Sequence, residues 1–446
     1  MLRESTVGKN KKYRGFIVAK VNAIVALGGG PSPVINASLL GVIQGCFQYS
    51  DQIGSVYAAK HGVEGVLLEE LIDMGAQDPL ELGLLKHTPA SGAVGTCRYK
   101  LDDGCEEDFS RIIDVFQAHN IGYFFYIGGN DSMDTADKVA KLARQRNYDL
   151  VVAGVPKTID NDLGDEAFTI IDHTPGYASA ARYWASIIQN TNEENRGMCV
   201  SERVAVLQAM GRKSGFITAA ARLADPDREM PLQMYFAESG HNLDTLSEHV
   251  SAQLRRSGRC IVVVNEGFDV GSLGEARDGF GHVEYGASQN TAAQVVVNHL
   301  NKVKLPARGS VTGQVPGVLQ RSTSIYRSKV DIEEAYQVGA FAVDMAVNDG
   351  TGYMATILRT SETPYRAVFA KVALRTVANS ERHLPKSWIS ADGIDVTDDF
   401  VRYAQPLIGD GWPEIPIENG LQRFARLNQQ LIEKRAMPYT PLKHRD

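Results

Sequence analysis

Residues 121–145 read IGYFFYIGGNDSMDTADKVAKLARQ: an apolar run of strand length, a glycine pair, then a charged segment with helical spacing. An apolar run without alternation is a strand buried on both faces, and the periodic segment directly after it is a helix packed back onto that strand. The same order recurs along the chain. Strand-like runs at Val21–Leu27, Leu150–Val155, Val204–Ala209 and Cys260–Val264 are interspersed with helical segments at Val34–Phe47, Phe109–His119, Ser132–Gln145, Pro175–Gln189 and Ser214–Leu223. Repeated strand-then-helix order implies an α/β fold on parallel sheets with helices on both faces.

The composition sets the outer limits. The 446 residues are 43% hydrophobic and 22% charged, the balance of a globular protein with a sizeable core, and their number suggests two or three domain-sized units. A net charge of -7 leaves no general basic face for nucleic acid, while a small anionic substrate remains compatible. No apolar run approaches the roughly 20 residues of a membrane-spanning helix, so no membrane partner is expected. The N-terminal MLRESTVGKNKKYRG is polar and basic and does not read as a secretory signal. Five cysteines without a C-x-x-C pair argue against a disulfide framework or structural zinc, and ten histidines without H-E-x-x-H argue against a zinc hydrolase. A cytoplasmic protein with free thiols is expected.

In open α/β sheets the carboxyl ends of the strands carry the ligand site. Here those ends are rich in glycine and charge: Gly28-Gly29-Gly30-Pro31, Gly128-Gly129-Asn130-Asp131-Ser132, Pro156-Lys157-Thr158-Ile159-Asp160-Asn161-Asp162, Met210-Gly211-Arg212 and Asn265-Glu266-Gly267. A glycine loop between strand and helix can hold a phosphate on backbone N–H groups, although a tight turn needing positive φ explains the first cluster equally well. Pro33 stands where the dinucleotide fingerprint needs its third glycine, and no Walker-type loop occurs. In GGNDS, Asp131 is either a carboxylate at the mouth of a helix or, with Ser132, an N-cap. PKTIDND places one ammonium and two carboxylates in a loop. That set suits phosphoryl transfer: the cation stabilises spreading charge, one carboxylate accepts a hydroxyl proton, and the other helps hold magnesium. An interlocked structural salt-bridge cluster is the alternative. Arginines 98, 203, 212 and 321 add the local positive charge an anionic substrate requires.

The combination resembles the phosphofructokinase family, specifically its pyrophosphate-dependent branch. The resemblance spans roughly residues 22–345 and rests on GGPSPVIN at 29–36, GTCR at 95–98, GGNDS, PKTIDND, HTPGYASA at 173–180, QAMGRKSG at 208–215, NEG at 265–267 and LQRS at 319–322. It implies that Gly30, Gly129 and Arg98 contact a diphosphate donor. It implies also that Asp160 is the base for the C1 hydroxyl of fructose 6-phosphate, that Thr158 lines the sugar phosphate, and that Asp162 supports the base or the metal. Met210, Gly211, Arg212 and Glu266 would hold the sugar, and Arg321 and Arg203 its phosphate, with Arg203 reaching into a neighbouring subunit of a dimer or tetramer. ATP-using relatives have glycine where this chain has Asp131 and Lys157. A carboxylate about 4 Å from an α-phosphate would repel it by about 4 kcal/mol at an effective dielectric of 20, enough to exclude ATP, and Lys157 would steady the transferring group. Asn130 replaces the usual metal-binding aspartate, so Mg2+ would be held through the amide oxygen or water. Val34 and Val318 also depart from the family pattern.

The expected architecture is α/β, with two parallel-sheet Rossmann-like domains and a C-terminal extension. Residues 1–165, rejoined by about 322–370, would form a donor domain and 166–321 a fructose 6-phosphate domain. Residues 371–446 would form an extension without an assigned role, with a helical stretch at Gly420 to Arg435. The expected reaction is reversible transfer from diphosphate to fructose 6-phosphate in glycolysis. An ATP-dependent enzyme and a non-catalytic phosphosugar-binding regulator remain as alternatives.

Overall fold

A computed structural model describes residues 20–102, 104–277, 283–378 and 380–445. The basic N-terminal stretch lies outside them. Strands β1 (Val21–Leu27), β2 (Ile53–Ala59), β3 (Leu71–Asp73), β4 (Ile121–Gly128), β5 (Val151–Pro156), β6 (Glu202–Ala209), β7 (Leu232–Tyr235), β8 (Cys260–Asn265), β9 (Ser310–Gln314), β10 (Tyr353–Glu362) and β11 (Tyr365–Ala373) form two sheets. The first has the order β11-β10-β5-β4-β1-β2-β3 and the second β7-β8-β6-β9.

Alternation within each strand explains the unbroken apolar runs. Ile24, Ala26, Phe124, Tyr126 and Val152 pack into one core, whereas Ala23, Val25, Leu27, Phe125, Ile127, Ala153 and Val155 pack into the core on the opposite face. The second sheet divides likewise: Leu207, Ala209, Ile261 and Val263 face one core, and Val204, Val206, Val262 and Val264 the other. Both faces are covered, so the runs are mainly apolar, with a few buried polar residues such as Gln208 and Gln233 that are hydrogen-bonded. The second sheet is wholly parallel. The first is parallel in its interior but departs from expectation at both edges, where β3 pairs antiparallel with β2 and β11 with β10. The β10–β11 pair is joined by a tight hairpin, whereas a short helix, Gly62–Leu67, lies between β2 and β3.

On the first sheet, the helix Ile35–Gln48 crosses the helix Lys329–Asp349 at very close range. A Cβ on Gly41 would lie 2.0 Å from Tyr336 O, and one on Gly339 2.3 Å from Ser38 O, so a glycine on each helix permits the contact. This crossing seats the glycine loop that precedes Ile35.

Two sequence expectations fail locally. The segment Ser214–Leu223 is not one α-helix but a short α-turn, Phe216–Ala219, followed by a 3-10 turn, Ala220–Ala224. The stretch from Gly420 to Arg435 is not helical either; after a small ladder pairing Ile417–Glu418 with Leu421–Gln422 it runs as an irregular strap. Its backbone donors bond to distant groups, Ala425 N to Thr88 Oγ1 (2.8 Å), Arg426 N to Glu81 (2.6 Å), Asn428 N to Gln77 (2.7 Å) and Ile432 N to Leu71 O (2.9 Å). Tertiary acceptors have replaced the i-4 carbonyls a helix would use. Among the described residues no helix is long and apolar enough to cross a membrane. All five cysteines are unpaired.

Candidate active site

Strand order decides which loops meet. From β1 the chain steps outward to β2, and from β4 to β5 on the other side, so a switch point lies between the neighbours β1 and β4. The glycine loop after β1, GGNDS after β4 and PKTIDND after β5 therefore lie side by side. In the second sheet Ala209 pairs with Asn265, which sets Met210-Gly211-Arg212 beside Glu266. The two groups of loops face each other across one cleft.

Of the candidates, Gly30, Arg98, Gly129, Asn130, Asp131, Lys157, Thr158, Asp160, Asp162, Met210, Arg212, Glu266 and Arg321 all line that cleft. Gly211 contributes from just behind: its N–H and that of Arg212 donate to Glu266 Oε1 at 3.1 and 2.8 Å. Arg203 does not join them. It sits at the opposite end of β6, roughly 20 Å along the strand from Ala209, where it donates to Arg308 O (2.6 Å) and Gly258 O (3.0 Å).

The helix Asn130–Gln145 starts at Gly129 without a side-chain cap, which removes the N-cap reading of Asp131 and Ser132. Its mouth carries Asp131, whose backbone N–H donates to Asn130 Oδ1 (2.9 Å), while Asn130 Nδ2 donates to Ser380 O (2.7 Å). Both ends of the Asn130 amide are thus engaged. A Cβ on Gly30 would come within 2.6 Å of Arg321 Nη1, so a larger residue there would displace that guanidinium. Lys157, only 4% exposed, donates from Nζ to Gly30 O at 2.7 Å. Asp160 N donates to Thr158 Oγ1 (3.1 Å), and the Asp160 carboxylate faces Arg212 Nε at 3.9 Å.

Burial dominates the electrostatics. It pushes the Asp160 carboxyl up to about 6, aided by repulsion from Asp162 and opposed by Arg212, Arg321 and Lys157. Burial, with Arg321 nearby, lowers Lys157 to about 7 despite Asp160 and Asp162. Glu266 is raised to about 7, again chiefly by burial, against the two backbone N–H bonds it accepts. A carboxyl and a neighbouring lysine that both titrate near neutral pH can exchange a proton with a bound group and present positive charge to an anion.

A second cavity continues from the cleft past Met210, Arg212, Glu266 and Arg321 to Tyr285, Gln320 and Val318. Gln320 is not among the sequence candidates, yet its Oε1 accepts from Met210 N (3.1 Å) and Trp184 Nε1 (2.8 Å) and fixes the Met210-Gly211-Arg212 loop. Only its place next to Arg321 could have flagged it.

The phosphofructokinase family model matches residues 22–346. The pyrophosphate–fructose 6-phosphate 1-phosphotransferase of Methylococcus capsulatus is 39% identical over 429 residues, covering 94% of this chain and 98% of that protein. The protein of the same name from Halomonas elongata is 37% identical, with 94% and 99% covered. The crystal structure of a pyrophosphate-dependent phosphofructokinase from Marinobacter aquaeolei matches with a TM-score of 0.84 at 38% identity, over 95% of this chain and 100% of that one. With the family match covering most of the chain and the motif loops converging on one cleft, the chain belongs to the phosphofructokinase family.

Proposed function

We infer that the chain is a phosphotransferase that moves a phosphoryl group from diphosphate to the C1 hydroxyl of fructose 6-phosphate, giving fructose 1,6-bisphosphate and phosphate. The observation that carries this reading is the buried Lys157 and the half-buried Asp160 side by side in one cleft, with Asp131 at its helix mouth. The relatives that share nearly the whole chain are named for the same donor and acceptor, which favours this reading over the ATP-dependent one.

In this mechanism Asp160 accepts the C1 hydroxyl proton as the oxygen attacks the terminal phosphorus of diphosphate, and the bond to the bridging oxygen breaks to release phosphate. Lys157 and Arg98 stabilise negative charge on the transferring group, and the backbone of Gly30 and Gly129 leaves it room. Glu266, Arg212, Met210 and Gly211 position the sugar, with Thr158 and Arg321 beside it. Mg2+ fits the donor set, because the cleft offers hard carboxylate oxygens. Asp162 would hold it, joined by Asn130 through the second lone pair of an oxygen already bonded to Asp131 N or through water. The ion would supply charge neutralisation on the diphosphate oxygens.

We propose further that the enzyme is a cytoplasmic homo-oligomer in which Arg203 serves a neighbouring subunit's sugar phosphate. Its distance from its own cleft supports this, as do the exposed apolar side chains of Met198 and Val200, which lie just before the β6 end that carries Arg203. Unpaired, mostly buried cysteines suit a reducing compartment. Product formation with diphosphate and with ATP, side by side with Mg2+, tests the reaction. Turnover with ATP but none with diphosphate would overturn it.

A further inference from the structure

Arg382 lies outside the family match and in the extension without an assigned role, yet it is fully buried at 0% exposure. Its guanidinium is aimed at the base loop. Nε donates to Asn161 O (2.9 Å), Nη2 to Asn161 Oδ1 (2.8 Å), and Nη1 to Ile171 O (2.8 Å) and Asp172 O (3.3 Å). Its own backbone N–H donates to Asp162 O (2.7 Å). Phe168 packs under the guanidinium at 4.4 Å.

Asn161, the residue gripped, stands between Asp160 and Asp162 in the left-handed region, with φ 57° and a completely buried side chain. Its amide is held further: Thr174 N donates to Oδ1 (3.0 Å), and Nδ2 donates to Tyr403 Oη (2.9 Å), which in turn donates to Asp172 O (2.9 Å). The same C-terminal segment reaches the other loops. Ser380 O accepts from Asn130 Nδ2, Ser380 Oγ accepts from Gly164 N (3.1 Å), and Arg382 O accepts from Ser214 Oγ (3.2 Å). A fork with donors on each nitrogen fixes a loop in position and orientation, which the point charge of a lysine cannot do.

We propose that Arg382, assisted by Tyr403, is a positioning residue that holds Asn161 so that Asp160 points at the sugar hydroxyl, making the C-terminal extension part of the active-site machinery. The proposal rests on Asp160 being the base. A displacement of about 1 Å at a reacting group costs on the order of 10²-fold in rate, so Arg382→Met should lower kcat by about that factor with both KM values within about threefold of the parent. Arg382→Lys should not rescue it. Tyr403→Phe, which deletes one hydroxyl from the same clamp, should lower kcat about fivefold.

The decisive readout is a double-mutant cycle with Asp160→Asn in the full-length protein. If Arg382 acts through Asp160, Arg382→Met should cost little further once the carboxylate is gone, whereas a purely structural residue would cost the same in both backgrounds. Parental kcat in folded Arg382→Met, or full additivity in the cycle, overturns the proposal. Should Arg382→Met not fold, Tyr403→Phe decides, and a kcat within twofold of the parent counts against the clamp. High activity in Asp160→Asn itself would instead bring down the base assignment, a separate result.

Discussion

Replacing Lys157 by methionine keeps the length and apolar stem of a side chain that is 4% exposed but deletes its charge. The ammonium is pinned to Gly30 O at 2.7 Å, so it faces the cleft rather than bulk solvent. A unit charge about 4 Å from a phosphoryl oxygen, at an effective dielectric near 20, contributes about 4 kcal/mol, or roughly 10³-fold in kcat/KM for diphosphate. Burial holds Lys157 near 7, so about half of the free enzyme carries the charge at pH 7, and the observed loss should lie between about 10² and 10³. The pH profile gives a sharper test. Asp160 must be ionised, so activity is lost as pH falls through about 6; Lys157 must be protonated, so activity is lost as pH rises through about 7. The parent should therefore show a narrow bell in kcat/KM. In Lys157→Met the alkaline limb should vanish, and the acid limb should move above its parental position because the lysine that helps keep Asp160 ionised is gone. Steady-state rates with saturating fructose 6-phosphate across about pH 5–9 measure both limbs. An alkaline limb that survives unchanged in the folded variant, or a loss under about fivefold, would refute the reasoning.

Asp131→Gly should admit ATP while weakening diphosphate use, and Lys157→Gly alone should not; kinetics of the single and double variants with both donors check this, with no ATP use by a folded Asp131→Gly protein as the adverse result. Arg203→Ala should raise the KM for fructose 6-phosphate and leave the KM for diphosphate nearly constant. Mixing it with Asp160→Asn subunits should restore some activity, and exchange of subunits without recovery would exclude a shared site. For His173, burial alone would lower the pKa, but Glu334 and Asp172, each 2.8 Å from a ring nitrogen, raise it from 6.5 to about 9. At about 1.4 kcal/mol per pH unit that is about 3 kcal/mol of stability, fully present below pH 6.5 and lost as pH rises through about 9. Urea titrations on either side of that range should show the loss in the parent and not in His173→Gln; a flat parental profile would contradict it.

Much of the fold is local chemistry and could be read without coordinates. An apolar run covered on both faces looks the same wherever it sits in the sheet, so β1, β4, β5, β6 and β8 stood out, and the glycine and charge clusters at their ends had to lie at the carboxyl edge of a sheet. The order of β1, β4 and β5 then brings GGPSP, GGNDS and PKTIDND into one cleft. Tertiary structure alone decided what depends on distant partners. Arg203 follows a charged, motif-like pattern, but the strand it belongs to carries it to the far end of the sheet. The 420–435 stretch has helical spacing, yet acceptors on Glu81, Gln77, Thr88 and Leu71 claim its backbone donors. Arg382 carries no local signature, because an arginine next to a histidine in an irregular segment looks like any surface cation. What makes it part of the site is 221 residues of sequence separation closed by hydrogen bonds to Asn161, and no local pattern encodes that closure.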